Sequence, residues 1–224
     1  MGFLDDLKKQ AGNLQAQQED AQQVAARNTL LVEAAAKTLR SYLLELASNL
    51  DVIRPAPKVR YVLDKRLVLD SLPRQDFRFD ARRKILRDVE VIDHVFVVGM
   101  VRGPRDQVLA KDFVNEMEAL ERRLGQAAIF FRKEPVRHAA DSRLLEMRYL
   151  FDADLQVSTR VLCDHDRGRL RFALRNLDGL ESVDCEFPAH EITQARLDDL
   201  ARWWVGEPNR FLEGALELRR TEAR

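Results

Sequence analysis

Alternation of apolar and polar residues with a period of two is clearest between Arg143 and Gly206. Four successive segments show it, and each places its apolar residues on one face: 144–151, 155–163, 169–176 and 180–187. This period is typical of strands in a sheet that buries one face. Asp178-Gly179 is typical of a type I′ hairpin turn, in which both central residues need positive φ. The pattern predicts a four-stranded antiparallel meander.

The predicted turns also set the register of the strands. The hairpin at Asp178-Gly179 and a three-residue turn at 152–154 give four diagnostic cross-strand pairs, namely Phe172 with Cys185, Arg171 with Glu186, Tyr149 with Val157 and Glu146 with Arg160. Both registers keep apolar side chains on one face. On the other face they place opposite charges across from each other, which stabilises a strand pair by about 0.2–1 kcal/mol. We therefore expect the outer face to be solvated.

Helical periodicity dominates the first 50 residues, which contain no proline and many good helix formers. Positions spaced alternately three and four apart form a mostly apolar seam, which is typical of a coiled coil. We predict that its large residues contact a partner; they are Leu4, Leu7, Leu14, Val32, Leu39, Tyr42 and Leu46. Beyond Asn28 the apolar stripe widens, which is typical of a helix packed on a globular core.

We therefore predict a helical arm over residues 1–54, either one long helix or a hairpin broken at Asn28-Thr29. Its second half should dock on the body. Its first half should be a solvated extension or associate with another helix. A membrane-surface anchor is a weaker alternative, because Asp5 and Asp6 would be repelled by anionic lipid.

Pro55 and Pro57 end the helical arm and separate it from an α+β body over 58–216. Strands followed by a helix occur twice in this body. One interpretation is therefore a ββββα pseudo-repeat, with subdomains over 58–135 and 143–216. Residues 217–224 are polar and are predicted to fray.

Within the body, the nearly continuous apolar segment from Val89 to Arg102 predicts a central strand covered on both faces. Amphipathic helices are predicted from Asp106 to Leu124 and from His190 to Val205. Trp203 and Trp204 are adjacent, so on a helix they point about 100° apart. One should be buried, and the other should pack nearby or contact a partner.

Composition limits the function classes. The chain has 224 residues and a net charge of zero, which argues against binding of nucleic acid or membrane by the whole surface. Cys163 and Cys185 should lie about 9–10 Å apart with one strand between them, too far for a disulfide. No apolar run approaches 18 residues. We therefore expect a cytoplasmic protein with free thiols.

Candidate chemistry is sparse, and no cofactor is predicted. The segment Cys163-Asp164-His165-Asp166 has four potential metal ligands in a row. Sequence neighbours rarely all converge on one ion, and the segment is also typical of a hairpin tip. Asp93 and His94 should lie on opposite faces of their strand, so no catalytic pair is predicted there. An enzyme or metal site at residues 163–166 is the third functional hypothesis.

The most basic segment is 58–87, with ten basic and four acidic residues. Arg82, Arg83 and Lys84 are its candidate anion-binding residues, and Tyr61, Phe77 and Phe79 could stack on bases. The competing interpretation places these aromatic residues in the core and pairs the arginines with Asp112, Glu116, Glu118 and Glu121. A nucleic-acid-binding module is therefore the second hypothesis. The first is a non-enzymatic interaction or adaptor protein, which binds another copy of itself or a protein partner through the N-terminal helices.

Overall fold

The computed structural model describes the backbone of residues 3–222 and, within it, the side chains of residues 10, 12, 14 and 17–222. This part of the chain has the predicted α+β fold, with three α-helices and eleven strands. In chain order the elements are α1 (Phe3–Ile53), β1 (Arg60–Asp64), β2 (Leu67–Asp70), β3 (Arg74–Leu86), β4 (Val89–Val101), β5 (Gln107–Lys111), α2 (Val114–Gln126), β6 (Arg132–Arg137), β7 (Leu144–Phe151), β8 (Leu155–Asp164), β9 (Arg169–Arg175), β10 (Glu181–Pro188), α3 (Gln194–Val205) and β11 (Leu216–Glu222).

The N-terminal helix α1 is continuous, so the hairpin alternative is wrong. At about 1.5 Å per residue it is about 75 Å long. The predicted break at Asn28-Thr29 does not form, because neither side chain caps a helix end. The Thr29 hydroxyl donates to the Ala25 carbonyl one turn earlier, at 2.8 Å. The Asn28 amide donates instead to the Asp166 carbonyl in the β8–β9 turn, at 2.7 Å.

The second half of α1 docks on the body, as its wide apolar stripe predicts. Val32, Leu39 and Leu43 are fully buried in the common core. Two backbone amides of the sheet donate to acidic side chains of the helix: Ile92 to Glu33, and Phe77 to Asp51, both at 3.0 Å. The second half of the helix is therefore held along β3 and β4 by apolar burial and by a polar contact near each of its two ends.

The main sheet has six antiparallel strands in the order β11-β10-β9-β8-β4-β3. The β9–β10 register is the predicted one, with Phe172 opposite Cys185 and Arg171 opposite Glu186. Strand β4 pairs with β8 as well as with β3 and is second from one edge of the sheet. This sheet therefore combines strands from both predicted subdomains, and 58–135 and 143–216 do not form separate sheets. Buried and partly exposed residues alternate along most of β4, so the prediction of a central strand covered on both faces is wrong.

Strand β7 does not join the meander, so two of the predicted cross-strand pairs are wrong. It lies between β5 and β6 in a three-stranded sheet, where Tyr149 faces Leu109 and Glu146 faces Val136. The residues after β7 explain the divergence, because they bind the loop before β5 instead of forming a hairpin turn. The Ala153 amide donates to the Pro104 carbonyl at 3.0 Å.

The predicted helix from Asp106 to Leu124 is also partly wrong, because its first residues form β5. The prediction of a frayed terminus over 217–224 is wrong for the part that the structure describes. Residues up to Glu222 form β11, which extends the main sheet beside β10. The Arg220 guanidinium fixes this strand by ion pairs with Glu181 at 2.8 Å and Asp178 at 3.6 Å.

Helices α1 and α3 cover the inner face of the main sheet. Both tryptophans of α3 are buried there, so neither is available to a partner. The Trp203 ring lies 6.0 Å from Phe211, which also contacts Phe172 at 5.2 Å between ring centres. The outer face is open over its centre, where Phe96 is half-buried and Arg160 is exposed. No helix in residues 3–222 is long and apolar enough to cross a membrane.

Helix α3 ends at Gly206, whose backbone is in the left-handed region. Its φ is 77°, and a Cβ added there would lie 2.4 Å from Cβ of Pro57. We expect Gly206→Ala to lower the free energy of unfolding by about 2–4 kcal/mol, from the left-handed backbone and the steric overlap together. Urea titration measures this value.

The matched control is Gly125→Ala. Gly125 lies inside α2, where an added Cβ meets no atom within 4 Å. This change should stabilise the protein by about 0.5–1 kcal/mol. Equal effects of the two substitutions would contradict the role assigned to Gly206.

Candidate functional site

Two residues of the predicted seam, Tyr42 and Leu46, lie in a groove of about 640 Å³ between α1 and α3. The Tyr42 hydroxyl donates to the Asp198 carboxylate of α3 at 2.8 Å. Burial raises the pKa of Tyr42, and the hydrogen bond to the Asp198 carboxylate raises it further. The phenol therefore stays protonated and holds the two helices together.

The other predicted partner-binding residues divide into two groups. Val32 and Leu39 are 0% exposed because they pack on the protein's own sheet. They are therefore unavailable to a partner, which corrects the prediction for these two positions. Leu14 is 59% exposed and lies in the part of α1 that precedes the body. Leu4 and Leu7 have side chains outside the described residues.

In the first half of α1, the side chains that the structure describes form a helical surface without a cover from the body. The side chains described at residues 10, 12, 14 and 17–24 are all exposed. The polar contact to the body that lies earliest along α1 is the one that Asn28 makes with Asp166. Leu14 and Val24 are the large apolar side chains on this stretch, and both are more than half exposed.

The predicted anion-binding residues each have an acidic partner nearby. Three ion pairs account for them: Arg82 with Asp80 at 3.0 Å, Arg83 with Glu90 at 2.6 Å and Lys84 with Asp93 at 2.8 Å. All six residues belong to the β3–β4 hairpin. The local surplus of positive charge is therefore partly neutralised where the sequence suggested a binding site.

The aromatic residues of the same segment belong to the core. Tyr61 is buried, and the ring of Phe77 packs edge-on against Trp204 at 5.7 Å. Phe79 lies on the same face of β3 and is packed against the core. None of the three is placed to stack on a base. The aromatic residues therefore follow the competing interpretation, but the acids that pair with Arg82, Arg83 and Lys84 come from the β3–β4 hairpin itself and not from the predicted positions.

Arginines from four other positions meet on the outer face of the main sheet. One row across the sheet consists of Asp80, Phe96, Arg160, Ala173, Asp184 and Arg219. Arg78 and Arg171 lie in the rows on either side of it. These four arginines of the outer face are exposed, and none of them takes part in an ion pair among the described residues; they are Arg78, Arg160, Arg171 and Arg219.

Three acidic residues of this face are already neutralised. Asp80 pairs with Arg82, Asp184 pairs with Arg175 at 3.3 Å, and Glu186 pairs with Arg169 at 3.4 Å. The outer face therefore has four guanidinium groups without a carboxylate partner. The sequence alone does not reveal this cluster, because its members come from four strands, β3, β8, β9 and β11, that only the folded sheet brings together.

The turn at Cys163-Asp164-His165-Asp166 has a structural role. His165 is buried, and its Nε2 lies 2.8 Å from the Ile92 carbonyl. Burial raises the pKa of the Cys163 thiol to about 12, and the carboxylates of Glu33 and Asp93 add to this effect. A protonated thiol is a poor nucleophile and a poor metal ligand. Among the side chains that the structure describes, no cluster of three or more His, Cys, Asp or Glu could hold a metal.

Asp93 and His94 do contact each other, contrary to the prediction. Nδ1 of His94 lies 2.9 Å from a carboxylate oxygen of Asp93. The cause is a β-bulge in β4, where the register against β3 shifts between Arg82 and Arg83. The bulge interrupts the alternation of faces. Asp93 also binds Lys84, and the hydrogen bond from Lys84 is the main reason why the pKa of Asp93 is lowered.

Arg74 is a buried charged residue whose burial the sequence does not reveal. Its side chain is fully buried. The guanidinium donates to the carbonyls of Trp204 and Leu177, both at 2.5 Å, and to the Tyr61 hydroxyl at 3.1 Å. No ion pair of the described residues includes it. Its contacts are structural, so it stabilises the body and offers no surface to a ligand.

Comparisons with protein-family models, with curated proteins and with solved structures found no match to this chain.

Proposed function

We propose that the chain is a non-enzymatic interaction protein that self-associates through the first half of α1. The observation that carries this proposal is the uncovered helical surface formed by the described residues before Asn28. A long helix rich in alanine and glutamine gains little stability unless it packs. A second copy of the same helix would supply that packing.

The seam itself favours an identical partner. Leu14, Gln18, Ala21 and Ala25 follow the three-four spacing of a coiled-coil seam. The flanking positions in this stretch are uncharged; they are Gln10, Gln15, Gln17, Gln22 and Val24. Two copies can therefore pair without like-charge repulsion. The small alanines allow close approach, and Gln18 in the seam favours one register.

The proposed location is the cytoplasm, where unpaired thiols are stable. Cys163 and Cys185 are both free and buried. Burial raises the pKa of Cys185 to about 12, as it does for Cys163. Protonated, enclosed thiols support a structural role over nucleophilic catalysis.

Self-association is tested by sedimentation velocity on the full chain. We expect a concentration-dependent shift from the monomer mass to twice that mass. Leu14→Glu should weaken the dimer by at least tenfold, because it places a carboxylate in the seam of both copies. Leu14 is exposed in the single chain, so the stability of the body should not change.

The matched control is Gln23→Glu, which adds the same charge on the opposite face of the helix. Gln23 lies nine residues after Leu14, and at about 100° per residue it points away from the seam. This variant should dimerise like the natural chain. A natural chain that sediments as a monomer at every concentration would refute the proposal.

A further inference from the structure

We propose that the outer face of the six-stranded sheet binds single-stranded nucleic acid. The proposal rests on the four unpaired arginines of this face together with the half-buried apolar side chains between them. It is independent of the helical interface proposed above. It also places the anion-binding residues elsewhere than Arg82, Arg83 and Lys84.

Three of the arginines form a diagonal track across the sheet. Arg160 on β8 and Arg171 on β9 lie on adjacent strands and two residues apart in register, which separates their Cα atoms by about 8 Å at ordinary sheet spacings. Arg78 lies two strands away from Arg160 on the other side, about 12 Å distant by the same spacings. Arg219, on the edge strand β11, extends the positive surface beyond this track.

Phe96 lies within this track. It is the β4 residue directly opposite Arg160, and Val98 is its neighbour on the same face. Both side chains are half-buried in an open part of the sheet. An aromatic ring on a sheet between arginines is the arrangement on which single-stranded bases stack while their phosphates bind guanidinium groups.

The pattern of charge favours a narrow polyanion over an anionic membrane. Asp80, Asp184 and Glu186 lie on the same face, where a continuous lipid surface would meet them. A single strand on the arginine track passes Glu186 beside Arg171 and Asp80 beside Phe96, and each of these carboxylates is already paired with an arginine outside the track. An acidic polypeptide has the charge but no bases to stack on Phe96, so the contribution of the ring separates the two ligands.

The test measures fluorescence anisotropy with labelled 20-nucleotide poly-dT and poly-U and the full-length protein at 50 mM salt. We expect saturable binding of at least one of them, and the ratio of the two affinities reports whether DNA or RNA is preferred. The Arg160→Gln/Arg171→Gln variant should bind at least tenfold more weakly. The slope of log K against log salt should fall by about 1.4, because two phosphate contacts are lost.

Two further variants distinguish binding at this face from nonspecific attraction by charge. Phe96→Leu should weaken binding about tenfold through loss of stacking and should leave the circular-dichroism spectrum unchanged. The control Arg83→Gln removes an arginine that is already paired with Glu90, and its effect should be less than twofold. Three results would overturn the proposal. They are no binding at 50 mM salt, an equal loss of affinity in Arg160→Gln/Arg171→Gln and in Arg83→Gln, and displacement of the labelled oligonucleotide by polyglutamate as effective as displacement by unlabelled oligonucleotide.

Discussion

Arg74→Met is expected to lower the free energy of unfolding by about 3–5 kcal/mol, the cost of breaking a buried, charged hydrogen-bond network. The substitution retains a side chain of similar length but removes every donor. The Trp204 and Leu177 carbonyls would then be buried without their partner. The Tyr61 hydroxyl would lose the same donor, although it still donates to the Asn176 carbonyl at 3.0 Å.

The position of Arg74 explains why so much depends on one side chain. Trp204 lies in the last turn of α3, where carbonyls have no partner within the helix and the helix dipole is negative. Leu177 lies in the β9–β10 connection, and Tyr61 belongs to β1. The guanidinium therefore joins three separate segments. Its charge is compensated by carbonyl dipoles and by the Trp204 ring, whose centre is 5.9 Å away.

The measurement is urea unfolding followed by tryptophan fluorescence and by circular dichroism. Arg66→Met is the matched control, because Arg66 is exposed on the β1–β2 turn. Its effect should be within about 0.5 kcal/mol. An Arg74→Met protein as stable as the Arg66→Met protein would show that the network contributes nothing.

Trp204→Ala is the second large effect that we expect, at about 3–5 kcal/mol, because it leaves a large cavity in the core. Trp204 is fully buried. Its ring packs edge-on against Phe77, and its indole N–H donates to the Thr159 hydroxyl at 3.1 Å. Thermal unfolding measures the loss.

The exposed aromatic residue Phe130 provides the comparison for Trp204. Phe130 is 96% exposed, so Phe130→Ala should change stability by no more than about 0.5 kcal/mol. Arg74 and Trp204 are in contact, so the double variant should lose less than the two single losses added together. Strict additivity would indicate that the two side chains act independently.

Turn residues and hydrophobic periodicity predicted those parts of the fold that depend on residues close together in the sequence. Asp178-Gly179 and the alternation around Phe172 and Cys185 were sufficient for the register of β9 and β10, because a tight turn leaves few alternatives. The stripe of α1 indicated which half docks, since the helix buries one face at every turn. The apolar length of β4 indicated a strand inside the sheet, but its prediction of burial on both faces was wrong, because buried and partly exposed residues alternate along most of β4.

Two features could not be predicted in the same way, namely which strands pair with each other and which charged side chains are buried. Alternation shows which face of β7 is buried but not which strand lies beside it, and backbone contacts of the 152–154 turn decided that. Arg74 is one of many arginines, and no local pattern distinguishes the buried one. The cluster that includes Arg160 and Arg171 exists only once β4, β8 and β9 have paired. Such features depend on long-range topology.

The pairing of β4 with β8 also has a consequence for how the chain folds during synthesis. Val95 of β4 pairs with Val161 of β8, so the β3–β4 hairpin cannot join the other strands of the main sheet until a large part of the chain has left the ribosome. Non-local pairings of this kind slow folding, because loop entropy is lost before the contacts form. During that delay α1 can pack only on the β3–β4 hairpin, and the edge of β4 that later binds β8 has no partner strand. This edge is therefore the part of the nascent sheet that is most open to wrong strand pairing.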